Sequence, residues 1–164
     1  MAQAASEAVR NDLAPTGALR VAIAVGPTGS PLWATKDPAS GAPRGVTVDL
    51  GRALADRLGV PVDFVVYSSS GEITDAAGSG AWDVSFMPVD DERRTKVDFG
   101  PDYALGESTY LVAPGSTIAA IPEVDRAGVR VAGVENTTTI RAARRSLRNT
   151  TVTGTKGATE ILEL

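Results

Sequence analysis

Four arginines form the densest basic run in the sequence: Arg141, Arg144, Arg145 and Arg148. Their i, i+3, i+4, i+7 spacing places them on one face of a predicted helix. Such a face is usually solvated, and the alternative is a patch for an anion or a protein partner. The 164-residue chain has a net charge of −4, so the basic surface typical of nucleic-acid binding is not expected.

The chain has no cysteine and no histidine. Disulfides, Cys/His zinc sites and Ser-His-Asp catalysis are therefore excluded, and we predict no metal or cofactor. Acid–base chemistry would have to use carboxylates near the predicted loops, and no paired-carboxylate motif stands out among them. These are Glu72, Asp90, Asp91 and Glu135.

Apolar patterns in the first half of the chain predict strands that alternate with helices. Strands are expected at 19–25, 60–67 and 82–87, with helices at 46–58 and 72–78, the latter capped by Ser70 or Gly71. This alternation predicts a parallel sheet with helices on its faces. Ligands bind beyond the carboxyl ends of such strands, here the loops at 26–34, 67–71 and 87–93.

A second strand–helix unit is expected in the rest of the chain. The predicted elements are a short helix at 90–96, strands at 109–113, 128–134 and around Val152, and helices at 138–147 and 157–164. Free amides at a helix start near Asn136 and Thr138 would suit an anion. Alternatively, Thr137 or Thr138 only caps this helix.

Four stretches, in order, resemble the amino-acid type of bacterial extracytoplasmic solute-binding protein, family 3, of ABC transporters. They are "ALRVAIAV...SPLW", "GVTVDLGRALADRLGVPVDF", "GSGAWDVSFMPVDDERRTKVDFGPDY" and "VDRAGVRVAGVENTTT". The resemblance covers about residues 18–164 and implies an α/β, periplasmic-binding-protein-like fold of type II. Residues 1–17 are polar and alanine-rich and are expected to form a tail. The resemblance implies lobe 1 at 18–108 with a parallel sheet and flanking helices, a hinge crossing at 109–114, and an incomplete second α/β lobe at 115–164.

The resemblance also implies a solute held in a cleft between the lobes. Arg93 matches the arginine that grips the solute carboxylate, and the alternative is a surface arginine paired with Asp90 or Asp91. Thr138 matches a threonine of the second lobe, with Thr137 and Thr139 beside it.

Further contacts with the solute are expected from Met87 and Val89, although Pro88 between them has no amide hydrogen. Where the family often stacks an aromatic ring, this chain has Gly29, so Trp33 or Leu32 is the candidate wall of the pocket. Tyr67 and Ser70, at the end of the second strand, complete the candidate set.

The predicted function is binding of a small carboxylate-bearing solute, an amino acid or related compound, without catalysis. The chain would be the solute-binding component of an ABC importer, with a membrane permease as partner and a periplasmic or extracytoplasmic location, although no signal peptide is recognised. It resembles a C-terminally truncated member, which predicts a homodimer by domain exchange. The alternatives are an enzyme like cyclohexadienyl dehydratase on the same fold and a truncated remnant or sensor fragment.

Overall fold

A computed structural model describes residues 5–25, 30 and 32–164. The chain divides into two units, Met1–Pro88 and Val89–Leu164. The lobe and hinge boundaries expected from the sequence stay predictions. Helix α1 (Glu7–Leu13), in the segment predicted to be a tail, begins after Ser6, whose side chain accepts a hydrogen bond from the Val9 amide.

The first unit is built on a three-stranded parallel sheet. The strands of this unit are β1 (Leu19–Ala24), β2 (Thr35–Lys36), β3 (Pro43–Arg44), β4 (Val62–Tyr67) and β5 (Val84–Ser85). The sheet has the order β4-β1-β5, and β2 and β3 form a separate antiparallel pair. Leu19, Val21 and Ile23 of β1 are fully buried, as expected of a central strand in a parallel sheet.

Helix α2 (Val46–Leu58) packs against this sheet. A Cβ atom at Gly51 would lie 3.1 Å from both the Phe64 ring and a Val21 methyl group, so glycine allows the helix to approach the strands closely. Gly59 ends the helix with a left-handed φ of 69°, a conformation that glycine adopts without steric cost.

The strands predicted at 19–25 and 60–67 and the helix at 46–58 are confirmed. Helix α3 (Ser70–Asp75) begins earlier than expected, because Ser69 and not Ser70 or Gly71 is its cap and accepts from the Glu72 amide at 3.2 Å. The strand predicted at 82–87 is only two residues long, Val84–Ser85, and pairs with Val21 and Ala22 of β1.

The second unit contains a strand–helix–strand segment. Its elements are α4 (Asp91–Arg94), a 3₁₀ helix (Ile121–Val124), β6 (Arg130–Val134), α5 (Thr138–Ser146), β7 (Thr151–Thr155) and α6 (Ala158–Ile161). Strands β6 and β7 pair in parallel from Arg130–Thr151 to Val134–Thr155. The buried Ile140 of α5 lies 3.3 Å from the Cβ position of Gly133 in β6, so the helix covers this pair of strands.

The strand predicted at 109–113 is wrong. The segment has no helix or strand, and Leu111 in it is 99% exposed. A strand requires hydrogen bonds from a neighbour, and no described residue pairs with this segment in a sheet. Within the described residues, no helix combines the length and apolar character required to span a bilayer.

Candidate functional site

The start of α4 places an arginine in a buried position. Asp90 is the N-cap of this helix, and its Oδ1 accepts a hydrogen bond from the Arg93 amide at 2.9 Å. Aspartate is favoured at this position because its carboxylate accepts from an amide that lacks a helical partner. Arg93, one turn later, is 0% exposed.

The start of α5 places a threonine and a second arginine on one face of a helix. Asn136 has a φ of 57°, a left-handed conformation that asparagine adopts more readily than most residues. Thr137 then caps the helix, since its hydroxyl accepts from the Ile140 amide at 3.5 Å and donates to the Val134 carbonyl at 2.7 Å. Thr138 and Arg141 follow with i, i+3 spacing and face the same way.

These two helix starts meet in a hydrogen-bonded group of Asp90, Arg93, Thr138 and Arg141, here named the Arg93 cluster. Arg93 Nη1 donates to Thr138 Oγ1 at 3.0 Å, and this hydroxyl donates to Asp90 Oδ2 at 2.9 Å. Arg141 Nε donates to the same carboxylate oxygen at 3.1 Å, and Arg141 Nη2 also contacts it. The side chains of Arg141 and Asp90 are only 11% and 4% exposed.

The backbone carbonyl of Asn136 is a second point of contact for both guanidinium groups. It accepts from Arg141 Nη1 at 2.8 Å and from Arg93 Nη2 at 3.4 Å. The turn before α5 is therefore tied to the same two arginines that surround the Asp90 carboxylate.

The protonation state of Asp90 follows from these contacts. Burial opposes ionisation, but hydrogen bonds from Arg141, the Arg93 amide and Thr138 outweigh it and lower the pKa of Asp90 to about 2. Burial, together with the charge of Arg141, lowers the pKa of Arg93 to about 10. Both groups are thus charged at neutral pH.

This arrangement is suited to holding a charged group. Arg93 carries a guanidinium, whose planar donors match a carboxylate. The hydroxyl proton of Thr138 is directed to Asp90, so this oxygen meets any further group as an acceptor. General acid–base catalysis near neutral pH is favoured by a pKa near neutrality, and the pKa of Asp90 lies far below that range.

The structure resolves several alternatives left open by the sequence. Arg93 is buried, so its interpretation as a surface arginine is wrong. Thr137, and not Thr138, is the cap of α5. Thr139 is exposed, with its hydroxyl 3.0 Å from that of Thr137.

Four of the other candidate residues belong to the first unit. Tyr67 ends β4 and Ser70 begins α3, and both are half-buried. Met87 is buried, with its sulfur 3.9 Å from the Thr74 hydroxyl. The half-buried Trp33 accepts from the Thr47 hydroxyl at 3.0 Å through its backbone carbonyl.

Two further positions named from the sequence are Val89 and Gly29. Val89 is half-buried and is the first residue of the second unit. Gly29, with residues 26–28 and 31 of the same loop, lies outside the described residues.

Sequence reasoning missed the role of Arg141. The four-arginine face is not simply solvated, because the half-buried Arg141 pairs with Asp90. Arg144 forms a two-point ion pair with Glu135 at 2.5 and 2.8 Å. The useful signal was the i, i+3 spacing from Thr138 to Arg141, which puts a hydroxyl and a guanidinium side by side.

Comparison with known proteins gives a family match over most of the chain. The model for bacterial extracellular solute-binding proteins, family 3, matches residues 21–163. The comparison with curated proteins found no match.

Solved structures with the same fold include several amino-acid-binding proteins. An ancestral amino-acid-binding protein, described as a precursor of cyclohexadienyl dehydratase, is 30% identical with a TM-score of 0.77. The match covers 94% of this chain and 68% of the ancestral protein. An amino acid ABC transporter substrate-binding protein from Streptococcus pneumoniae, bound to L-arginine, is 20% identical with a TM-score of 0.75. The match covers 92% of this chain and 64% of that protein.

A third similar structure is a binding component of an ABC transporter from Wolinella succinogenes, in complex with lysine. It is 22% identical with a TM-score of 0.67, and the match covers 90% of this chain and 63% of the Wolinella protein. The chain thus spans about two thirds of the length of these proteins. The α/β, periplasmic-binding-protein-like fold expected from the sequence is confirmed.

Proposed function

The chain belongs to the bacterial extracellular solute-binding proteins of family 3, and on this premise we propose that it binds a small carboxylate-bearing solute through Arg93. The observation that carries the proposal is the buried Arg93 guanidinium, hydrogen bonded at 3.0 Å to Thr138 in the first turn of α5. A guanidinium, a helix start and low exposure together favour an anionic group.

An amino acid is the solute class that the relatives support best. Similar proteins are described as bound to lysine, arginine or glutamine, all of which carry an α-carboxylate. Each hydrogen bond from a charged donor to such a carboxylate contributes on the order of 1.5–3 kcal/mol. The α-ammonium group is a donor, and the Thr138 oxygen is available to it as an acceptor.

The physiological role proposed here is delivery of the solute to a membrane permease of an ABC importer. The family is extracellular, and two of the similar structures are described as components of ABC transporters. The protein would then act in the periplasm or outside the cell and would catalyse no reaction. Self-association by domain exchange remains a further proposal about its assembly.

An enzymatic function is the second candidate, because two of the similar structures are a precursor and an ancestral form of cyclohexadienyl dehydratase. Turnover of prephenate or arogenate by the purified chain would support it. The low pKa of Asp90 argues against this carboxylate as an acid–base group near neutral pH.

The binding proposal is tested by a thermal-shift screen of the twenty amino acids and simple organic acids, followed by calorimetry. A solute present at 100 times its dissociation constant stabilises the folded state by about 2.7 kcal/mol. Replacing Arg93 by Ala should then weaken binding by about 100-fold, because the charge-assisted hydrogen bonds are lost.

Arg94 provides the matched control for this variant. It is the adjacent residue, exposed, with its guanidinium 5.7 Å from the Phe99 ring centroid. Arg94→Ala should bind like the wild type. Equal affinity of the wild type and Arg93→Ala, with circular dichroism showing both folded, would contradict the proposed site. Absence of any stabilising solute in the screen would contradict the proposed function.

A further inference from the structure

We propose that Arg141 is a positioning residue of the solute site. It engages the Asp90 carboxylate, keeps this negative charge from pairing with Arg93, and so allows Arg93 to receive the acid group of the solute. The inference rests on the proposed function, because it assigns a role to Arg141 in that same site.

Arg141 is itself committed to neighbours in its own unit. Its Nε and Nη2 atoms contact Asp90 Oδ2, and its Nη1 donates to the Asn136 carbonyl at 2.8 Å. Glu92 lies 3.3 Å from the Nε atom. All three guanidinium nitrogens therefore have acceptors within the protein, and Arg141 acts through Asp90 instead of contacting the solute.

Asp90 is close enough to Arg93 to compete with a solute carboxylate. Its Oδ1 accepts from the Arg93 amide, and only the Thr138 hydroxyl separates its Oδ2 from Arg93 Nη1. Opposite charges attract strongly in a buried site. The cluster contains two guanidinium groups, those of Arg93 and Arg141. If Arg141 is removed, the Asp90 carboxylate can pair only with Arg93 within this cluster.

The same contacts set the direction of the Thr138 hydroxyl. Its proton points to an Asp90 oxygen that Arg141 holds in place, while Arg93 donates to its oxygen. Removing Arg141 frees the carboxylate to turn, so both predicted solute contacts, Arg93 and Thr138, lose their fixed geometry.

The primary test compares Arg141→Gln with Arg144→Gln by calorimetry on the whole chain. The probe is L-arginine, replaced by any amino acid of the screen that binds the wild type more tightly. We expect Arg141→Gln to weaken binding about tenfold, the equivalent of one charge-assisted hydrogen bond. Arg144 is on the same helix and pairs with the exposed Glu135, so Arg144→Gln should leave affinity unchanged.

Neutralising Asp90 distinguishes positioning from mere structural support. Asparagine is as good an N-cap as aspartate, so Asp90→Asn keeps the first turn of α4 and removes the negative charge. The double variant Asp90→Asn/Arg141→Gln should recover part of the affinity lost in Arg141→Gln, because no charge remains to compete for Arg93. A purely structural role for Arg141 predicts that the double variant binds no better than Arg141→Gln.

Each outcome separates this inference from the function on which it rests. No binding of any probe by the wild type overturns the proposed function and the positioning role with it. Binding by the wild type and equal binding by Arg141→Gln overturns the positioning role alone. If Arg141→Gln does not fold, Arg141→Lys decides, because lysine keeps a positive charge beside Asp90 but replaces the guanidinium fork by one nitrogen. Weaker binding by the folded variant supports the inference, and unchanged affinity overturns it.

Discussion

At the scale of single residues, the Asp90 carboxylate connects the starts of two helices. One oxygen caps α4 through the Arg93 amide, and the other accepts from Thr138 and Arg141 of α5. A buried carboxylate is tolerated only when it is paired and hydrogen bonded, and Asp90 meets both conditions. Its negative charge is therefore a fixed part of this site.

We expect the stability of the protein to depend on Asp90 at acidic pH. The pKa of Asp90 is about 2 in the folded state, against an ordinary value of 3.8. Since the folded-state value is the lower one, this stabilisation is complete above pH 3.8 and is lost as the pH falls through about 2. Urea unfolding should show that the contribution of Asp90 to the free energy of unfolding falls by about 2 kcal/mol between pH 5 and pH 2.

Asp90→Asn is the control for this measurement, because asparagine keeps the cap but does not titrate. The difference in unfolding free energy between wild type and variant should shrink over the same pH range. A difference that stays constant from pH 5 to pH 2 would show that Asp90 titrates normally.

At the scale of secondary-structure elements, helix α5 depends on its first turn. It is nine residues long, too short to be stable in isolation. The Thr137 cap, the buried Ile140 and Ala143, and the contacts of Arg141 anchor it to the rest of the unit. The same turn carries Thr138, so the geometry of the site depends on the capping of this helix.

Replacing Thr137 by Ala should destabilise the protein by about 1 kcal/mol, because the Ile140 amide loses its acceptor and the Val134 carbonyl loses its donor. Thr139→Ala is the matched control, since Thr139 is exposed and does not cap the helix. Its effect should stay within about 0.5 kcal/mol. Equal denaturation midpoints for the two variants would show that the cap contributes nothing.

At the scale of the whole molecule, the second unit leaves apolar side chains in solvent. Leu111 is 99% exposed and Leu105 is 89% exposed, in a segment without helix or strand. Thr109, on the same segment, and Ile118 and Val124 help to line a cavity of about 150 Å³. Exposed apolar surface of this kind is typical of interaction sites or of association between copies.

We expect self-association of this chain in solution. Size-exclusion chromatography with light scattering should give a mass above that of a single 16.9 kDa chain, increasing with protein concentration. Leu105→Ser/Leu111→Ser should shift the equilibrium toward single chains, because less apolar surface would be buried on association. A constant monomeric mass at all concentrations would contradict the prediction.

Local patterns in the sequence determined the regular elements of the first unit. The spacing from Val46 to Leu58 gave α2, and the apolar run at 19–25 gave β1, because helical and extended periodicity depend only on neighbouring residues. The order of the four resembling stretches also gave the fold. Arg93 and Thr138 were brought together as candidates by this resemblance, and the structure shows them hydrogen bonded.

Only the tertiary structure decided how the charges of the site are paired. Arg141 and Asp90 are 51 positions apart, and helical spacing alone placed Arg141 on a face expected to be solvated. The strand expected at 109–113 failed for a related reason, since a strand needs a partner that its own residues cannot supply. Patterns between neighbouring residues describe local conformation, whereas burial and ion pairing depend on which distant segments meet.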